Sequence, residues 1–133
     1  MKVEFSHVAD NDQPGMVDVG TKKITLREAE VQSIVWLGKE NIELFEKAGW
    51  ENKKGGILQT SIIAGTMAAK KTGDLIPMCH PLGLESCKIT IDVLTESLKI
   101  TCICRLEAKT GVEMEAMVGA SIAALTIYDM CKS

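Results

Sequence analysis

From Ala116 to Cys131 the sequence reads AMVGASIAALTIYDMC, with Asp129 as its one ionisable carboxylate. A helix that is apolar nearly all round must be covered over most of its surface, by the rest of the domain or by a second subunit. The stretch begins with Thr110 and Glu113 in T-x-x-E spacing, which predicts a capping box and a helix over 112–131. Everything else in the chain has to supply a cover for this one element.

Residues 86–94 and 98–106 can supply it. Ile89, Ile91 and Val93 alternate with Lys88, Thr90 and Asp92, and Leu98, Ile100, Cys102, Cys104 and Leu106 alternate in the same way. Only Thr95, Glu96 and Ser97 lie between the two runs, so they predict an antiparallel hairpin. Residues 24–36 place Ala29, Val31, Ser33 and Val35 on one face of a further strand. Residues 39–48 predict a short helix closed by Gly49, and 57–71 a longer one with Gly73 as its stop. Residues 74–85 hold Pro77 and Pro81 and are expected to be irregular. The order is α+β, with helices on one face of an antiparallel sheet. It matches the ferredoxin-like sequence β-α-β-β-α-β with the final strand missing. Residues 1–15 are expected to form a flexible arm, and 16–133 a single domain.

Composition narrows the function. With 133 residues the chain suits one domain, and a net charge of −3 lacks the basic surface that nucleic-acid binding requires. The N-terminus has no signal-peptide pattern, and no uninterrupted apolar stretch reaches bilayer length. Five cysteines, an odd number, read as reduced thiols, so a cytoplasmic protein without membrane or nucleic-acid partners is expected.

Several residues could carry chemistry. His80 lies between Pro77 and Pro81, which would hold an imidazole in place at low entropic cost; a histidine bonded to loop backbone is the competing reading. Lys53 and Lys54 precede Gly55, Gly56 and a helix, a setting for a phosphate group, although the Walker A spacing is absent and the pattern alone favours a solvated turn. Asp129 and Lys132 share a helix face and could act as an acid–base pair or as a plain ion pair. Glu115 flanks Met114 opposite Glu113, and Arg27 on the first strand is a candidate phosphate contact. The cysteines show no C-x-x-C metal pattern. Cys102 and Cys104 read as small core residues, and a zinc or iron–sulfur site from Cys79, His80 and Cys87 is the minor alternative. The expectation is therefore no metal and no cofactor.

Two blocks, KTGDLIPMCHPL (71–82) and KTGVEMEAMVGASIAALTIYDMCK (109–132), together with MVDVG (16–20) and the Lys54-Gly55 pair, resemble the molybdenum cofactor biosynthesis protein C family, the cyclic pyranopterin monophosphate synthases. The resemblance implies an enzyme that takes a cyclised dihydro-GTP from a radical SAM enzyme and releases pyrophosphate as it forms cyclic pyranopterin monophosphate. It implies a ferredoxin-like hexamer, a trimer of dimers with sites between subunits. Carried over by motif, it implies catalytic roles for Asp129, Lys132 and Lys54. It implies substrate contacts from His80, Cys79, Arg27, Glu113, Met114 and Glu115, with Lys53 as a rival to Lys54. The family often has Asp where Gly56 stands, and it continues beyond the YDMCK helix into a strand and a lysine-containing, glycine-rich tail, whereas this sequence ends at Ser133. The competing functional class is a non-catalytic module of the same fold that binds a nucleotide or a partner.

Overall fold

The computed structural model describes residues 13–132; most of the arm expected over 1–15 lies outside them. Strand β1 (Thr25–Trp36) leads through Gly38 into helix α1 (Lys39–Lys47). A two-residue strand pair, β2 (Glu51–Asn52) and β3 (Gly55–Gly56), precedes helix α2 (Ile57–Lys70). The single-turn α3 (Thr72–Leu75) opens the proline loop, and the hairpin β4 (Ser86–Val93) and β5 (Ser97–Ala108) leads into α4 (Glu113–Cys131).

The sheet is antiparallel in the order β1-β5-β4. Thr25 pairs with Ala108 and Trp36 with Ser97 along one side of β5, and Ser86 with Arg105 and Val93 with Leu98 along the other. β5 is central and the most buried strand, with Leu98, Ile100, Cys102, Cys104, Leu106 and Ala108 facing the helices. This is the ferredoxin-like order for the three strands present, and among the described residues the outer edge of β1 has no partner strand. Ala29, Val31, Ser33 and Val35 do share the inner face, and the Ser33 hydroxyl donates to the Ala120 carbonyl at 2.9 Å, tying β1 to α4.

α4 is long and apolar enough to cross a bilayer, which the sequence reading did not allow for. Here it packs across the sheet and along α2. The two helices cross at glycines: a Cβ on Gly65 would meet the Gly119 carbonyl at 2.7 Å, and a Cβ on Gly119 would meet the Cys102 sulfur at 2.7 Å. No larger residue fits at this crossing without moving the sheet.

Two expected helix ends differ. α4 begins with Val112 as its N-cap and no side-chain cap, so Thr110 and Glu113 do not form the box. The Glu113 carboxylate folds over Gly111 instead, where a Cβ would collide with it. α2 ends at Lys70 with Lys71 as its C-cap, and Gly73 is not its stop, because the Thr72 hydroxyl donates to the Ala69 carbonyl at 2.8 Å and starts a new turn. Gly73 has a different use: a Cβ there would sit 3.0 Å from Pro81, so the glycine lets the proline loop fold back onto α3.

Candidate functional site

The candidate residues gather at the two ends of α4. At its C-terminal end, the hairpin β2–β3 lies against the last turn. Gly49 (φ 65°) and Trp50 (φ 56°) both take left-handed backbone, turning the chain out of α1; stacking of Trp50 on Phe45 at 5.7 Å holds this costly arrangement. Asn52 then fixes the hairpin twice. Its side-chain amide donates to the Met130 carbonyl at 2.7 Å, and its oxygen accepts from the Lys54 backbone N–H at 2.8 Å. This asparagine was not singled out from the sequence, although Asn before a tight turn is a recognisable signal.

The consequence is a charged cluster. The Lys54 ammonium donates to the Asp129 carbonyl at 2.7 Å and stands 3.7 Å from its Oδ2. Lys132 approaches Oδ1 at 3.1 Å. The hydrogen bond from Lys132 and the charge of Lys54 hold the Asp129 carboxyl below the usual carboxylate range, so it is an anion at neutral pH. Lys53, on the same turn, is exposed and makes no ion pair with Asp129.

At the N-terminal end of α4 a cavity of about 370 Å³ is lined by Met78, Cys79, His80, Thr110, Glu113 and Met114, among others. The His80 Nε2–H donates to the Val17 carbonyl, which orients the ring in the cavity wall. Lys109 donates to the Gly20 carbonyl at 3.2 Å. The 16–20 segment thus joins the proline loop and the start of α4 in one place. Thr110 and Gly111 also line the cavity, a placement that the capping-box reading had hidden.

Behind this wall Glu115 is 2% exposed and its Oε2 has no partner. Burial pushes its carboxyl above the usual range. The Cys79 thiol, 3.9 Å from Glu115 Oε1, is raised by its own burial and then by the Glu115 charge. Arg27 lies on β1, half-buried, with an unpartnered Nε, and is not part of the cavity wall. A larger open depression of about 510 Å³ near Ile42 and Val93 contains none of the candidate residues.

Glu115 and Asp129 are separated by about 21 Å of helix at ~1.5 Å per residue. One chain therefore does not bring all the candidates together. Nor do Cys79, His80 and Cys87 converge: Cys87 faces the core beside Cys102 and Cys104.

The sequence pattern of the MoaC family matches residues 16–133. The chain belongs to the MoaC family. Relatives span nearly all of it. The cyclic pyranopterin monophosphate synthase of Xanthomonas campestris pv. campestris (strain 8004) is 46% identical over 130 residues, 97% of this chain and 79% of that protein. The synthase of Xanthomonas oryzae pv. oryzae (strain MAFF 311018) is 48% identical over the same shares. Molybdenum cofactor biosynthesis protein 1 of Dictyostelium discoideum is 46% identical over 98% of this chain and 24% of that much longer protein. The MoaC match takes in both α4 ends, the proline loop and the 16–20 segment.

Proposed function

We propose that this MoaC family member, an enzyme of molybdenum cofactor biosynthesis, is a cyclic pyranopterin monophosphate synthase. It takes the cyclised dihydro-GTP delivered by a radical SAM enzyme, without a metal or other cofactor, in the cytoplasm. The observation that carries this reading is the Lys54–Asp129–Lys132 cluster. An anionic carboxylate between two ammonium groups can accept the proton of an attacking hydroxyl while its neighbours donate to the departing oxygens. The ribose hydroxyl oxygen bonds to the α-phosphorus, its proton passes to Asp129, and the α–β phosphoanhydride bond breaks. Pyrophosphate leaves with the bonding pair. Lys54 is the site lysine, with Lys53 at the rim.

His80 and Arg27 orient or neutralise the phosphates, while Cys79, Glu113, Met114 and Glu115 contact the substrate. The two ends of α4 act together across a subunit boundary, in a hexamer built as a trimer of dimers. Support for this comes from the span of the helix and from its exposed apolar stripe, Met114, Met117, Leu125 and Tyr128. The outer edge of β1, which has no partner strand among the described residues, points the same way.

The decisive experiment incubates the protein with the cyclised dihydro-GTP and measures pyrophosphate and pterin. Product formation that disappears in Asp129→Asn and Lys132→Ala supports the assignment. Tight binding without product identifies a binding module instead. Wild-type turnover in both variants overturns the catalytic roles.

A further inference from the structure

Three thiols with no part in the proposed reaction meet on the inner face of the sheet. Cys87 on β4 is directly opposite Cys104 on β5, and Cys102 lies two residues away on the same face. The sulfurs of Cys87 and Cys102 are 4.0 Å apart, and those of Cys102 and Cys104 are 3.8 Å apart. All three sulfurs lie within 4.8 Å of one another. Cys102 and Cys104 are fully buried, whereas Cys87, on the edge strand, is half-buried. Among the described residues, no imidazole or carboxylate completes the group.

We propose that Cys87, Cys102 and Cys104 form a three-thiolate site for one soft monovalent ion of the copper(I) class. An ion centred in a triangle of sulfurs with metal–sulfur bonds of about 2.3 Å sets the sulfurs about 4.0 Å apart. Two of the three separations, 3.8 and 4.0 Å, match this spacing, and the third, between Cys87 and Cys104, is within 4.8 Å. Zinc wants a fourth ligand in a tetrahedron. Here the α4 backbone at Gly119 closes over Cys102, and among the described residues no further His, Cys, Asp or Glu side chain joins the group. Soft sulfur donors in an apolar, three-coordinate setting favour copper(I) over harder ions.

The Lys70 ammonium acts on the Cys87 side of the cluster and offsets part of the negative charge of three thiolates around a single positive ion. Binding releases each thiol proton to solvent, and the copper stays as copper(I) throughout. The entry route is the β4 edge, where Cys87 is the accessible thiol.

The test titrates the reduced full chain, without oxygen, with copper(I) buffered by a coloured chelator, and reads competition, thiolate-to-copper absorption and proton release. One ion per chain is expected. Cys87→Ala should weaken binding by more than ~100-fold, beyond the loss typical of an outer-shell partner. The double substitution Cys79→Ala with Cys131→Ala should leave binding unchanged. Circular dichroism checks each fold, and Cys104→Ala replaces Cys87→Ala if the latter is unfolded. The proposal is overturned if the wild type fails to compete with the chelator, if Cys87→Ala binds like the wild type, if binding follows Cys79 and Cys131, or if zinc(II) binds as tightly as copper(I).

Discussion

The first turn of α4 buries an acid in an apolar wall, whereas its last turn keeps an acid in the open between two ammonium groups. Glu115 is 2% exposed with an unpartnered oxygen; Asp129 is over half exposed and meets Lys54 and Lys132. Position on the helix alone would give the opposite trend, because the N-terminal end of the macrodipole favours a carboxylate and the C-terminal end disfavours it. Burial overrides the dipole at Glu115, and two nearby cations override it at Asp129. The same functional group is thus biased toward the protonated form at one end and toward the anion at the other. Lys54 and Asn52 also occupy the carbonyls of Asp129 and Met130, so the hairpin β2–β3 serves as a C-terminal cap built from another part of the chain.

The largest effects should come from the open end. Asp129→Asn and Lys132→Ala should lower turnover by roughly 10²–10⁴-fold, the range for a lost general acid or base. Their thermal melting should stay close to wild type, since both side chains are more than half exposed. Assays of pyrophosphate release alongside melting curves separate the two outcomes. Mixing Asp129→Asn with His80→Ala then tests the comparison itself. If the ends belong to one site across a subunit boundary, the mixture should recover part of the activity that each variant lacks, and a mixture as inactive as its components would break that idea.

Smaller effects follow at the buried end. His80→Ala should lower kcat/KM by roughly 10–100-fold, the value of a hydrogen bond to a charged group, with the change mostly in KM. Glu115→Gln should change stability in a pH-dependent way. A carboxyl whose folded pKa is raised contributes stability below its unfolded pKa and loses it as pH rises through the folded value. The variant should therefore melt higher than wild type at pH 7–8, with the advantage shrinking toward pH 4.5; melting scans across that range measure it.

The smallest contrast is between neighbours. Lys54→Ala should shift the acid limb of the kcat/KM profile upward, because Asp129 loses one of the cations that depress its pKa. Lys53→Ala should stay within about twofold of wild type, as surface substitutions do. Equal profiles for the two variants would remove Lys54 from its assigned place.

The sheet was legible because alternation in 86–106 and 24–36 is a local signal, and the three-residue link between Leu94 and Leu98 left only a hairpin. The apolar run in α4 announced its burial, although not its cap: Thr110 and Glu113 have the right spacing, but Glu113 folds over Gly111 and Thr110 faces the cavity. Site residues were legible one at a time through His80 between prolines and Asp129 with Lys132. Their grouping was not, because it depends on long-range contacts. Sequence spacing does not reveal that Val17 holds His80, or that Asn52 selects Lys54 over Lys53. The thiol cluster was hidden for the same reason, since Cys87 joins Cys102 and Cys104 only through strand register.

The bond from His80 to Val17 has one more consequence. Val17 belongs to the 16–20 segment and His80 to the proline loop, so one hydrogen bond ties together two stretches 63 residues apart. The imidazole cannot swing out of the cavity wall without releasing that segment, so the two keep or lose their places together.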